Sequence, residues 1–209
     1  MHADRWLLAI AFACLIADHA QAQPGAKPAT ALENDYVLVS RNMAPCATAT
    51  PDKCDDRVIL AMGDLSLTFG AKKRQMKRGE IAVFGAGESY SIAVGSPFFE
   101  IAIKPKHPPI RAPAERIAAP ANLPLHQGKT FFIYEELLPV GGTRPRHSHA
   151  QRVEIWLNNG PMLRRQVWQN GKMVEIEPVI VNWREPVIHV VSNIGDMPLR
   201  NFILEFIPQ

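Results

Sequence analysis

Residues 141–160 read GGTRPRHSHAQRVEIWLNNG, and residues 184–193 read REPVIHVVSN. RVEIWL and VIHVV are short runs of β-branched and aromatic residues bounded by Gly, Pro and Asn-Gly, the signature of strands joined by tight turns. His147 and His149 are two apart. On a strand that spacing puts both rings on one face, about 7 Å apart along the chain. His189 comes from a separate strand, on a face with Val187 and Val191. With Glu154 they make three imidazoles and a carboxylate, a donor set for one divalent transition metal such as Fe, Mn, Ni or Zn. Three of the five histidines beyond residue 22 lie in this stretch.

The same pattern extends outward. FFIYEELL (131–138), RRQVW (164–168), KMVEI (172–176), VIVNW (179–183) and NFILEFI (201–207) surround it. Asn159-Gly160 and Asn170-Gly171 mark hairpin turns, whose central residues need positive φ. Upstream, the short runs are Tyr36–Ser40, RVILAM (57–62), LSLTF (65–69), IAVF (81–84), SIAV (91–94) and FFEIAIK (98–104). No segment carries the 3.6-residue apolar period of a long amphipathic helix, so the chain reads as all-β. Between the halves, residues 104–125 contain six prolines, which remove ladder donors and forbid a regular helix. Residues 105–128 therefore read as an extended linker, with one helical turn allowed at AERIA (114–118).

The N-terminus has the layout of a cleavable signal peptide: Arg5, an apolar run from Trp6 to Ala17, then Ala20-Gln21-Ala22. That run is too short to span a bilayer and no other is long enough, so no membrane span is expected in the mature chain. The expected location is the periplasm or the exterior. Residues 23–33 read as a disordered leader. In an oxidising compartment Cys46 and Cys54, flanking a polar Pro-containing loop, are expected to form a disulfide. Removing residues 1–22 takes away Arg5, Asp4 and Asp18, so the net charge becomes 22 − 18 = +4. That mild excess excludes nucleic acid as an expected partner. Its one basic cluster, KKRQMKR (72–78), has no interleaved aromatics and reads as a surface hairpin. Exposed sheet edges would permit a homodimer.

The halves also resemble one another weakly. An offset of 95 lays Asp56-Arg57-Val58 on Gln151-Arg152-Val153, and an offset of 99 lays Phe84 on Trp183 and Tyr90 on His189. The first half then has Ile59 where the second has Glu154, and the cysteine loop replaces the histidine-bearing loop.

Gly141, five residues, His147-Ser148-His149, four residues and Glu154, followed by His189 and Asn193, resemble the two motifs of the cupin superfamily. Gly160 arrives one residue early, and Arg184 and Pro186 stand where the second motif has proline and glycine. The resemblance covers residues 129–209, with residues 34–104 as a degenerate copy. It implies a double-stranded β-helix barrel in each half and a metal on His147, His149, Glu154 and His189. It further implies a small-molecule substrate or ligand, the reaction being a dioxygenation, decarboxylation or isomerisation. A non-catalytic binding module and a structural protein remain alternatives. Arg144, Arg146, Gln151 and Tyr134 are candidates to bind an anionic substrate. Trp156 and Trp183 read as barrel core, and Asn193 as the anchor of a turn before Gly195.

Overall fold

A computed structural model describes residues 27–47, 54–93, 95, 97–118, 122–158, 165–169, 171–176 and 179–209. The expected signal peptide and the Asn159-Gly160 turn lie outside them. The first half contains β1 (Ala29–Glu33), β2 (Val37–Arg41), β3 (Arg57–Ala61), β4 (Leu65–Phe69), β5 (Lys72–Met76), β6 (Ile81–Phe84), β7 (Ser91–Ile92) and β8 (Phe98–Ile103). The second contains β9 (Leu123–Gln127), β10 (Phe131–Leu138), β11 (Thr143–His149), β12 (Arg152–Trp156), β13 (Arg165–Gln169), β14 (Lys172–Ile176), β15 (Val181–Arg184), β16 (Val187–Asn193) and β17 (Leu199–Phe206). Among the described residues there is no helix.

The strands form four antiparallel sheets, ordered β1-β2-β8-β3-β6, β5-β4-β7, β9-β10-β17-β12-β15 and β14-β13-β16-β11. Apart from β11, the order within the two halves is the same, strand for strand, as a repeated β unit requires. Only β11 lacks a counterpart among the described residues. In its place, between β2 and β3, the first half has the Cys46–Cys54 disulfide loop.

Period-two alternation divides the central strands β3 and β12 between two interiors. Val58 and Leu60 of β3, with Val153 and Ile155 of β12 and Phe202, Leu204 and Phe206 of β17, join one apolar core shared by the two five-stranded sheets. The intervening Ile59 and Ala61 face the first barrel's own interior. Glu154 and Trp156 face the second's. Tyr36 and Trp183 stack across the junction at 4.8 Å, so Trp183 packs between the barrels.

The structure corrects three expectations. Residues 29–33 are a strand, because β1 finds ladder partners on β2 and Leu32 packs against the shared core. The linker ends earlier than expected: β9 pairs with β10 as an edge strand, where Pro124 costs least. Ala114–Ala118 makes no helical turn. Ile117 N instead donates to Ser148 Oγ at 2.7 Å, and Ile117 O accepts from Ser148 N at 3.1 Å. The Lys72–Met76 hairpin strand is exposed apart from Met76, as its charge pattern requires. Gly70 and Gly171 turn the two equivalent hairpins at φ 55° and 71°.

Candidate metal centre

The site is built on β11 and β16. Pro145 has no N–H for the ladder, and the register slips beside it: Arg144 faces Val191, while His147 faces His189. That bulge turns Arg144, His147 and His149 inward together; they are 3%, 0% and 3% exposed. His189 enters from the neighbouring strand and is buried as well. Ligand atoms of the three histidines lie within 4.8 Å of one another, with Nε2 of His147 and His189 at 3.1 Å. Nitrogens of a tetrahedral site with bonds of about 2.1 Å stand about 3.4 Å apart, so small adjustments would bring all three onto one ion.

The ring orientations suit that role. His147 Nδ1 lies 2.7 Å from Pro145 O, which can only accept, so Nδ1 carries the proton and Nε2 is left with a lone pair. His149 Nδ1 lies 2.8 Å from Glu205 Oε2 and 3.0 Å from Tyr134 Oη. Tyr134 donates to the same Glu205 oxygen at 2.9 Å, and Ala150 N donates to the other at 2.7 Å. A carboxylate orienting an imidazole is the usual support of a metal-binding histidine. Burial holds all three histidines below their ordinary 6.5, with the charge of Arg152 adding to the effect on each. They are therefore neutral, the form that ligates. Burial also raises Glu205 and, together with the charge of Glu205, pushes the Tyr134 hydroxyl well up.

Glu154 points into the same barrel but is committed elsewhere. Its carboxylate accepts from Arg165 at 2.7 and 3.1 Å, from Arg184 at 2.9 Å and from Asn201 at 3.3 Å. Burial alone would raise its pKa; the charges of Arg165, Arg152 and Arg184 and the hydrogen bonds from Arg165 pull it far below the ordinary value. The cluster is thus three histidines, without the expected fourth ligand.

The other expected residues are dispersed. Arg144 is ion-paired to Glu136 at 3.1 Å, and Arg146 is exposed and paired to Glu115 at 2.9 Å. Gln151 accepts from Arg111 N at 2.9 Å and donates to Glu185 at 3.0 Å, tying the linker to the barrel. Tyr134 alone of these four touches a cluster histidine. Asn193 anchors its turn, accepting from Gly195 N at 3.0 Å. Tyr90 lies at the position of His189, as expected. Phe84 corresponds to Arg184 instead of Trp183, because Phe84 faces Arg57 as Arg184 faces Arg152.

Glu205 and Arg152 are the functional candidates that sequence reasoning missed. The one signal was a carboxylate inside the apolar run FILEFI, and an arginine opening a strand that is otherwise core. A cavity of about 520 Å³ opens at the barrel mouth beneath the linker. Phe132, Ile117, Phe206 and Ile207 supply its apolar walls, and Tyr134, His149 and Glu205 its polar floor. His149 is the one cluster histidine on its surface.

Two barrels back to back, one with three inward histidines, define a double-barrelled cupin fold. No family model and no curated protein matches the sequence. In three dimensions the chain is similar to a cupin 2 conserved barrel domain protein from Leptotrichia buccalis, at 12% identity over 87% of this chain and 88% of that one, with a TM-score of 0.54. It is similar to AerE from Microcystis aeruginosa, at 14% identity over 83% and 88%, TM-score 0.55. A putative glyoxylate-induced protein from Pseudomonas aeruginosa aligns at 15% identity over 83% and 74%, TM-score 0.58. At such identities the likeness is one of fold.

Proposed function

We propose that the C-terminal barrel binds one divalent transition metal, Fe, Mn, Ni or Zn, on His147, His149 and His189, and presents it to a small anionic molecule for a metal-dependent reaction. The observation that carries this reading is the convergence of three buried, neutral imidazoles, two of them with Nδ1 already engaged. When bound, such an ion supplies Lewis acidity or a binding point for dioxygen. The chain's own residues do the rest. Pro145 O and Glu205 hold the rings in orientation, and Tyr134 keeps a hydroxyl proton beside His149. The cavity at the barrel mouth has the size of a small-molecule pocket.

Metal analysis of the purified, reconstituted protein tests the reading. Near-stoichiometric metal in the wild type that disappears in a His147→Ala, His189→Ala double variant supports it. A wild type that takes up no Fe, Mn, Ni or Zn and melts at the same temperature with or without them would overturn it. Dioxygen uptake or product formation across carboxylates, flavonoids and sugars then separates an enzyme from a binding module. We also propose that the mature chain begins at Gln23 and works in an oxidising compartment, a reading supported by the leader pattern and the Cys46–Cys54 bridge. Mass spectrometry of protein recovered from each cell fraction, with and without thiol alkylation, tests that.

A further inference from the structure

Four guanidiniums reach into the C-terminal barrel, and three are held in direct ion pairs. Arg144 pairs with Glu136 at 3.1 Å; Arg165 and Arg184 pair with Glu154 at 2.7 and 2.9 Å. The fourth is Arg152. It is 5% exposed, forms no ion pair among the described residues, and its Nε has no hydrogen-bond partner. Its Nη1 reaches Ala150 O and Glu185 O only at 3.5 and 3.4 Å, the outer limit of a hydrogen bond. A guanidinium buried this deeply with only two long hydrogen bonds and no direct ion pair is costly unless something completes it.

The first barrel shows the same position with no histidine cluster beside it; there too the guanidinium is buried, with Nε and Nη1 unpartnered, but its Nη2 contacts differ. Arg57 is the counterpart of Arg152, since Arg57 opens β3 and Arg152 opens β12, the equivalent strand, each opposite the equivalent residues of the neighbouring strands. Arg57 Nη2 closes tightly on Gly85 O at 2.6 Å and Glu88 O at 2.5 Å. Gly85 follows β6 as Glu185 follows β15, so the two arginines address the same loop. Arg57 also lies 5.9 Å from the ring centroid of Tyr90, which stands where the second barrel has His189. The position thus aims a guanidinium at the loop and at the ring in the His189 place. In the second barrel the loop contacts are slack and the ring is a candidate metal ligand. Arg152 also acts electrostatically on all three histidines, in keeping with that placement.

We propose that Arg152 is the anchor for the anionic group of the molecule that binds at the three-histidine site, and that this group is a carboxylate. This rests on the metal reading of that site. A planar guanidinium donates two parallel hydrogen bonds to a carboxylate, which selects it over a neutral amide of the same shape. The charge balance points the same way. Four guanidiniums stand against three carboxylates, Glu136, Glu154 and Glu205, leaving one positive charge before any metal is added. Arg144 and Arg146, the arginines that the sequence favours, are already occupied by Glu136 and Glu115.

The test uses the full chain reconstituted with Co(II), whose visible spectrum reports the coordination sphere, titrated with acetate and with neutral acetamide. In the wild type, acetate is expected to bind and perturb the spectrum and acetamide is not. Arg152→Gln is expected to weaken acetate about 10–100-fold while cobalt stoichiometry and the anion-free spectrum stay unchanged. Arg152→Met keeps the apolar stem and serves if the Gln variant does not fold; Arg152→Lys is expected to fall between it and the wild type. Stoichiometric cobalt with an acetate affinity indifferent to residue 152 overturns this inference alone, as does equal binding of acetamide. A wild type that takes up no cobalt overturns the metal reading and this inference with it.

Discussion

Substituting Glu154 separates two roles that its motif position confuses. Read as a metal ligand, Glu154 should control metal content. In the structure it is the common acceptor of Arg165 and Arg184, and Arg165 is itself buried. Glu154→Ala strands that guanidinium, and breaking one side of a buried pair costs about 3–5 kcal/mol. For a chain of this size, that corresponds to a loss of about 6–20 °C in Tm. Glu154→Gln keeps an acceptor for Asn201 and one for Arg165 and should lose less. Both are expected to retain the metal stoichiometry of the wild type, measured by elemental analysis beside calorimetric melting. The sign with pH is fixed by the depressed Glu154 pKa. The pair's contribution is complete above the ordinary carboxylate value of 4.5 and declines progressively as pH falls from there toward the lower folded-state value. In wild type, then, acid should begin to erode this contribution below about pH 4.5. A Glu154→Gln protein with unaltered Tm and no metal would refute the reasoning and restore the residue as a ligand.

Three further outcomes are expected. Glu205→Gln, which weakens the support of His149 Nδ1, should lower metal affinity about 10–100-fold by competition titration, with Tyr134→Phe having the smaller effect. Chelation of the reconstituted protein should lower Tm by about 5–16 °C, the shift expected for metal held at 100 to 1,000 times its Kd; no shift would mean that the ion does not bind the folded barrel preferentially. In the first barrel, burial pushes Glu100 from 4.5 up to about 7 although Tyr90, Cys46 N and Arg57 oppose the rise. A raised carboxyl stabilises the fold below 4.5 and loses that contribution as pH climbs to about 7, roughly 3 kcal/mol in all. Glu100→Gln should therefore flatten stability against pH over that interval in urea melts; an unchanged slope would reject the assignment.

The sequence made most of the strands legible because their alternation is strong. RVILA and RVEIW read as strands, and the structure adds that each turns one face toward each of two interiors. ATALE and LPLHQ carry no such signal, one polar and the other broken by Pro124. They become strands because a sheet edge offers them partners, a tertiary fact with no local trace. The site was legible to the extent that it depends on His-x-His and on a distant histidine. Which carboxylate supports it was not. Glu154 sits at the motif position, yet Arg165 and Arg184 arrive from β13 and β15 to claim it, while Glu205 is brought to His149 by the last strand. The arginines failed for the same reason, since proximity to His147 along the chain says nothing of Glu136 across the barrel or Glu115 on the linker.

The core shared by the two five-stranded sheets has a consequence for how the molecule comes apart. Neither half can leave the other without exposing a continuous apolar sheet face, so the halves are expected to unfold as one cooperative unit, with coincident melting transitions at both barrels. Occupancy of the histidine cluster is then thermodynamically linked to residues in a barrel that has no such cluster. An enlarged or truncated side chain at Val58 or Ile101 would be read out, two sheets away, as a lower apparent affinity for metal wherever the folded fraction limits binding. The barrel without the cluster is in this sense a lever on the one that has it.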